Sequence, residues 1–521
     1  MEHSLRIGLF QPGMSHQHRL GLAGLYMTLK HFTDQGIAYP KAEWELSKDA
    51  VTINWDGSAG DFFKWLIENS FGFDRDGLVD FAAHRAHPMG DVNKIHLSQS
   101  LLGSYLQHPR HNKIPKKTHN CVKAIEFGIE SAVITYRPFV KPYAHSTAYA
   151  QLSDVKGKLK GKLEVKGWLF PGAAERHSGL SGITTIHEPP EKFLCLLYSP
   201  VASLFFRLSH RSPDGKYDER RGVAIVIPHV DDLSQYSHNF NRYLLSPVEH
   251  LSADSVGDAG LLSLVLLKAE QKLKDLGISG CSVITLGTVG WAKQQKTRTQ
   301  LLTLDDINII VLDQFDLALH CLPNRILFTS TKTNDDSPDI QKRLFVSTSY
   351  VRGFIAGNIA EGIEWFRGFS GLMASKKQAQ MVFFEKGGLQ TMVEEIRWDN
   401  EADKTFIDAV HAAIRNRYGA LAAQASKRGE KIPFDREFTR MRTGLMRAKN
   451  AQTLRAELAD LFARGGVNKV LQEKWQDILP IFSSHDWQRS RDLALLALAS
   501  YAGKGAEHIE ATSGEENVPE E

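Results

Sequence analysis

The segment Pro433-Phe434-Asp435-Arg436-Glu437-Phe438-Thr439-Arg440-Met441-Arg442-Thr443-Gly444-Leu445-Met446-Arg447 sets the architecture of the C-terminal part of the chain. Pro433 suits a first helical turn. Phe434, Phe438, Met441, Leu445 and Ala448 then recur at a helical period. Arg436, Arg440, Thr443 and Arg447 fall on the opposite face, a line with no acid in it. Side chains three and four apart on a helix lie roughly 5 to 6 Å from one another, close to phosphate spacing on a strand. The pattern predicts a helix that buries one side and offers the other to a polyanion. An ordinary solvated face, the alternative, usually interleaves both signs.

The surroundings of this helix follow the same pattern. Lys404 to Arg455 holds twelve Lys/Arg against four Asp/Glu, a net +8 inside a chain of net +3, so the other residues sum to −5. In the helix expected after Asp403, Ile407, Val410, Ile414, Tyr418 and Leu421 form the buried stripe, and Arg415 and Arg417 flank it. Further helices are expected from Gln452 to Phe462 and from Trp487 to Tyr501. Strand-like runs stop near Gly353, so residues 353–505 read as an all-α bundle. Residues 506–521 read as an acidic, disordered tail, since Glu507 to Glu521 has six acids and no Lys or Arg.

Residues 1–352 read as an irregular mixed α/β region, which makes the whole chain α+β. Leu5 to Phe10 is a short strand, and Ser15 caps a helix running to about Phe32. Trp44 to Leu46 and Val51 to Trp55 form a hairpin around Lys48-Asp49, and a helix begins near Asp61. Further strand candidates are Ala132 to Tyr136, Leu163 to Phe170, Phe193 to Tyr198, Gly222 to Ile227, Ser282 to Leu286, Ile307 to Leu312 and Leu344 to Ser347.

Composition excludes several classes. With 521 residues, 42% hydrophobic and 24% charged, the chain is globular and long enough for two to four domains. Its longest apolar runs, Gly260 to Leu267 and Leu493 to Ala499, are far short of a membrane span, and a cytoplasmic location is expected without membrane contact. Cys121, Cys195, Cys281 and Cys321 are scattered and read as buried, reduced thiols.

Two more basic elements stand in the front region. Between Val92 and Ile125, Lys94, Arg110, Lys113, Lys116, Lys117 and Lys123 occur without an acid, and Pro109, Asn112 and Pro115 argue for a loop. Such a loop with His108, His111 and His119 can track a backbone or simply be a soluble surface. The run Trp291-Ala292-Lys293-Gln294-Gln295-Lys296-Thr297-Arg298 follows a strand and a Gly-Thr-Val-Gly turn, which places Lys, Gln and Arg at a sheet edge. These side chains read base edges or clamp phosphates, and the alternative is a polar connection with Trp291 in the core. Lys156 to Lys162 reads as an exposed hairpin arm with four lysines on one face.

Catalytic patterns are weak. There is no phosphate-binding Gly-rich loop, no His-Glu-x-x-His helix and no nucleophile elbow. His229 with Asp231 and Asp232, or Asp305 and Asp306 with Asp313, offer metal-ligand chemistry, but capping and turn roles explain both groups, and His16 and His18 are equally ambiguous. No catalytic residue, metal or cofactor is expected.

Five segments together resemble one family. They are Arg6 to Met14 running into His18-Arg19-Leu20-Gly21-Leu22-Ala23-Gly24-Leu25; Trp168 to Ala173 with Arg176-His177; Trp291 to Arg298; Arg352-Gly353-Phe354 with Trp365-Phe366; and Ile396-Arg397-Trp398-Asp399 with Ala402-Asp403-Lys404. The chain resembles the large subunit of a type I CRISPR surveillance complex (Cascade), of the Myxan-like I-B group, members of which also occur in CRISPR-associated transposons. The resemblance implies a non-enzymatic subunit that binds guide RNA and target double-stranded DNA. It implies contact with the handle-capping, backbone and small subunits, recognition of the protospacer-adjacent motif, help with R-loop formation, and docking of a helicase-nuclease or a transposition adaptor. In this family the bundle is similar to the small subunit, which is also made separately in some members, and Met373, Met381 and Met392 stand before the basic bundle here. No motif-reading residue transfers by position. The chemistry alone assigns Arg110, Asn112, Lys113, Lys116, Lys117, Lys293, Gln294, Gln295, Lys296 and Arg298 to handle or motif-proximal binding in the 1–352 region. It assigns Arg415, Arg436, Arg440 and Arg447 to strand contact. A metal-dependent nuclease and a stand-alone nucleic-acid-binding protein are the rival readings.

Overall fold

The structure, a computed structural model, describes residues 2–114, 119–128, 130–171, 186–209, 222–268, 276–291, 294–305, 308–331, 341–483 and 485–503, with the backbone alone for 287–291, 294–300, 329–331, 341 and 483. Its contacts separate two compact units. One gathers Met1–His210, Asp218–Leu312 and Asn324–Thr348, and the other Arg211–Tyr217, Asp313–Pro323 and Ser349–Glu521.

The first unit begins with β1 (His3–Gly8), helix α1 (His16–Asp34), β2 (Ala42–Leu46) and β3 (Ala50–Trp55). The strands form an antiparallel sheet of order β1-β3-β2, with Leu5 and Trp44 both opposite Ile53. Ser15 caps α1 reciprocally with His18, whose imidazole takes the place usually held by Glu or Gln. Helix α1 is apolar almost all round, from Leu20 through Leu25, because it is enclosed by protein. Behind it run α2 (Ala59–Ser70), α3 (Asp91–Leu102), the hairpin β4 (Cys121–Phe127) and β5 (Glu130–Tyr136), and α4 (Pro190–Ala202).

Two glycines let α1 and α4 meet backbone to backbone. A Cβ on Gly21 would lie 1.6 Å from the Cys195 carbonyl oxygen, and one on Gly24 would lie 2.3 Å from that of Tyr198. The middle of the unit is a five-stranded sheet made of β6 (Leu204–Leu208), β7 (Gly222–Val230), β8 (Ser252–Ala253), β9 (Ile278–Trp291) and β10 (Gln294–Asp305). Their order is β8-β6-β7-β9-β10, and α5 (Leu233–Leu244) and α6 (Val256–Lys268) intervene in sequence. Helix α7 (Ile309–Cys321) follows. The hairpin β11 (Arg325–Thr331) and β12 (Gln341–Ser347) then joins β5 and β4 in a sheet of order β11-β12-β5-β4.

Several sequence readings need correction. Phe193 to Tyr198 is not a strand but lies inside α4, and the run ending at Leu312 opens α7. Phe193 to Tyr198 is buried on every side, and both segments are continuous apolar runs, which lack the periodicity that separates helix from strand. Only Leu163–Glu164 of the proposed strand to Phe170 pairs as a strand, and a 3₁₀ turn at Gly167–Leu169 follows. The Lys156 to Lys162 arm, by contrast, keeps its hairpin character: an antiparallel bridge joins Ser153 to Leu159, and Asp154 accepts from the backbone of Lys156 and Lys158 at the turn. Gly157 takes φ +75° there. The basic 92–125 segment is no continuous loop, since α3 opens it and β4 closes it. The Gly-Thr-Val-Gly turn does not exist, because β9 runs straight through it to Trp291. Among the four cysteines, all free, Cys195 and Cys281 are buried as expected, but Cys121 and Cys321 are only half-buried.

Every described element that lies wholly in the second unit is helical: α8 (Tyr350–Ala360), α9 (Lys376–Phe384), α10 (Lys386–Glu395), α11 (Glu401–Arg428), α12 (Phe434–Arg447), α13 (Ala451–Gly465), α14 (Lys469–Ser483) and α15 (Trp487–Ser500), besides a turn of helix at Phe369–Leu372. The chain is thus α+β with a helical C-terminal region. Helix α11 is the axis of this unit. Asn400 caps its first turn, which carries Glu401 and Asp403, and Gly429 at φ +67° ends it after Lys427 and Arg428. Both ends agree with the helix dipole. Asp403, buried in that first turn, receives two hydrogen bonds from Arg489 of α15 at 2.6 and 3.0 Å. The proposed tail at 506–521 lies outside the described residues. Among the described residues no helix is long and apolar enough to cross a membrane.

Candidate nucleic-acid interface

Helix α12 carries the basic line, and its burial differs from the sequence expectation. Met441, Leu445 and Ala448 are buried, but Phe434 is exposed and Phe438 only half-buried. Glu437 takes the inner position instead, at 7% exposure. A carboxylate enters such a site only with partners. Arg440 donates to it at 2.6 and 3.2 Å, and Arg417 of α11 donates at 2.8 Å. Burial alone would push the Glu437 carboxyl up, yet the two guanidinium groups hold it below the usual carboxylate range.

Arg440 also donates to Asp460 of α13 at 3.2 Å, and Arg464, one turn beyond, holds the same carboxylate at 2.7 Å. The hydrogen bonds from Arg464 and, after it, Arg440 keep Asp460 ionised below the ordinary Asp range. The acid-free line on α12 is therefore corrected at one position, because Arg440 is engaged by carboxylates from its own helix and its neighbour. Arg436 and Arg447 are exposed and have no ion-pair partner among the described residues. These arginines, with Thr439, Thr443 and Arg464, line a cleft of about 540 Å³ between α12 and α13. Gly444 forms part of its wall where the Glu457 carboxylate comes so close that a Cβ would lie 2.3 Å from it. Arg415 is exposed on α11. Thr443 lies on the face expected from the sequence, whereas Arg464 and Thr439 do not belong to that expectation, although the i, i+4 pair Asp460–Arg464 is visible in the sequence.

The front-region candidates separate into free and structural groups. Arg110 is exposed on the single turn Pro109–Asn112, which His108 caps through Nδ1. Lys113 is exposed and adopts φ +50°, the only positive φ outside glycine among the described residues. Asn112, by contrast, is 4% exposed; its amide donates to the Leu106 carbonyl and its oxygen accepts from Ile114 N–H, each at 3.1 Å. It builds the turn and offers nothing to a ligand, which corrects its assignment. Lys123 is likewise committed, to Asp76 at 2.7 Å and Asp91 at 3.0 Å. Lys116, Lys117 and Lys293 lie outside the described residues. Gln294, Gln295, Lys296 and Arg298 stand on β10, the edge strand of the five-stranded sheet, opposite Trp291, Gly290, Val289 and Gly287.

The residues weighed for metal chemistry do not converge. His229 pairs with Asp305 at 3.0 Å and with Ser282 at 2.8 Å, and the ring of His16 stacks on it at 3.6 Å. Asp232 instead caps α5, and Asp231 lies 3.9 Å from Arg19. Among the described residues no group of three His, Cys, Asp or Glu side chains is placed to hold a metal ion.

Four of the five recognisable segments contribute packing elements. Gln17, at the head of α1, donates to the carbonyl of Leu169, so the first two segments meet in the core. Arg176 and His177 lie outside the described residues. Arg352 is fully buried with a hydrogen bond to the Leu322 carbonyl, and Trp365 and Phe366 pack on Trp398 at 5.5 and 6.0 Å between ring centres.

Comparison with known proteins gives two domain matches and one relative. The model for the DevT N-terminal domain matches residues 6–197, and that for the DevT C-terminal domain matches residues 394–521, which include the arginine cleft. The chain is 26% identical over 547 residues to the CRISPR-associated protein Cas8a1/Csx13 of Myxococcus xanthus (strain DK1622), an alignment covering 98% of this chain and 91% of that protein.

Proposed function

Because the chain belongs to the DevT family through both of its matched domains, we propose that it is the non-catalytic large subunit of a type I CRISPR RNA-guided surveillance complex. The observation that carries this reading is the likeness to a CRISPR-associated protein along nearly the whole chain, with an arginine-lined cleft in the C-terminal domain. The complex's guide RNA reads most of the target by base pairing, and the protein reads a short duplex motif and holds backbones. Arg436 and Arg447 are suited to the second task, since each can neutralise a phosphate without meeting a base. Arg110 and Lys113 on one turn, and Lys296 and Arg298 on an edge strand, are the groups proposed to meet the guide handle or the motif-proximal duplex. The proposed partners are the guide RNA, target double-stranded DNA, the other Cascade subunits, and a helicase-nuclease or transposition adaptor.

Binding of duplex targets that differ only in the flanking motif tests the reading. In the assembled complex, Arg436→Ala with Arg447→Ala should weaken all targets alike and lower the salt slope by about 1.4, at about 0.7 per strand phosphate. Arg110→Ala or Lys296→Ala should change the preference among flanking sequences if the residue reads the motif, and weaken all targets uniformly if it only holds backbone. Unchanged affinity and salt slope for the double variant would overturn the assigned role of the cleft.

A further inference from the structure

Resting on the reading of the cleft as a nucleic-acid seat, we propose that Asp460 is its exchangeable counter-anion: it occupies Arg440 and Arg464 in the free protein and yields both to the phosphates of a single strand. Three observations support this. Asp460 reaches the two guanidinium groups from a position that is itself half-open, with its side chain 45% exposed, whereas Glu437, which shares Arg440, is 8% exposed and fixed. The pair Arg440–Asp460 at 3.2 Å is also longer than the bond at 2.6 Å that ties Arg440 to Glu437. Finally, Arg436 and Arg447, which line the same cleft, are exposed and have no ion-pair partner among the described residues, so a strand can begin binding before the exchange takes place.

The roles of the two acids therefore differ. Glu437 lies beneath Arg440 and Arg417 and aims them, so that Arg440 keeps its position when its outer partner leaves. Asp460 competes with the ligand. From Arg436 to Arg447 the helix rises about 16 Å, enough for several phosphates of one strand. A strand carrying several phosphates displaces Asp460, because each new contact also releases counterions. A lone anion meets the resident carboxylate on nearly equal terms. The acid thus suppresses weak binding to stray polyanions while leaving a full strand able to enter. Arg464 becomes a strand contact by the same exchange.

The experiment uses the full-length chain and a labelled single-stranded DNA of arbitrary sequence, titrated over a range of NaCl concentrations. Asp460→Asn keeps the shape of the side chain and removes its charge. It should tighten binding about fivefold, the scale of one exposed ion pair, and steepen the salt slope by up to about 1.4. Asp460→Ala should act in the same direction, and far-ultraviolet circular dichroism of both variants should match the parent. Unchanged or weaker binding by a folded Asp460→Asn chain, with Arg436→Ala and Arg447→Ala still weakening it, would overturn the exchange alone. If the parent does not bind, or if the two arginine substitutions leave binding unaltered, the cleft itself is not the seat.

Discussion

Arg489 shows how much one side chain can carry in the bundle. It donates to the buried Asp403 and also to Glu364, and its guanidinium lies 5.1 Å from the ring centre of Phe366, tying α15 to α11 and to the segment before the helical turn at Phe369–Leu372. Removing it leaves Asp403 charged and enclosed. Arg489→Gln should therefore cost about 3 kcal/mol in denaturant unfolding. The double change Asp403→Leu with Arg489→Met should recover most of that loss, because no enclosed charge is left unpaired and Glu364, 39% exposed, stays solvated; an equal loss in the double variant would assign the effect to packing. Sequence exposed some of this chemistry and hid the rest. Glu437 stands three residues before Arg440 and is readable as its partner, but the stripe was traced along one face and the neighbouring acid was left out. Asp460 lies twenty residues further on, and Asp76 lies 47 residues before Lys123, and no local pattern reports pairs made by tertiary folding. Asn112 resembles a ligand contact in sequence because turn-building and base-reading use the same amide.

Helices show the same division between local pattern and enclosure. The amphipathic α12 and the capped α1 were legible because half of α12 meets solvent and Ser15 marks where α1 starts. In α4 and α7 the runs Phe193 to Tyr198 and up to Leu312 look like strands in sequence, since an apolar run without a polar side has no period to read. The glycines of α1 carry a signal of another kind. Gly21 and Gly24, three apart, lie against the backbone of α4, so Gly21→Val should destabilise the protein by about 3 kcal/mol or prevent folding. Gly419 in α11 has open space around its Cα, and Gly419→Ala should raise stability by about 0.8 kcal/mol through helix propensity alone. Thermal or denaturant unfolding of the two variants checks both signs. Equal, small effects would mean that α1 and α4 do not pack as described. Four of the five segments that made the chain recognisable are explained in part by such packing, at Gly21, Leu169, Trp365 and Trp398, which is why they identify a family without identifying a reader of DNA.

At the scale of the molecule, both units bury histidines that stay neutral in the fold. Burial lowers His145 to about 3 and His84 to about 4 in the first unit, and His411, bonded to the Ala497 carbonyl, to about 4 in the second. The unfolded chain protonates these groups near pH 6.5, so it binds more protons than the folded chain between about pH 6.5 and 4. Stability should hold above that range and fall as pH drops through it, before Glu437 and Asp460 begin to titrate. Urea midpoints between pH 7.5 and 4.5 check the sign, and a midpoint that stays level contradicts it.

The central claim is that this protein is one subunit of an RNA-guided complex, and recovery of that complex tests it most directly. The full-length chain, tagged and co-expressed with its neighbouring genes, is purified and its bound RNA sequenced. The account predicts a stable assembly with other proteins and a small RNA of uniform repeat-derived 5′ end. A chain that purifies alone, free of RNA and of partner subunits, would contradict it.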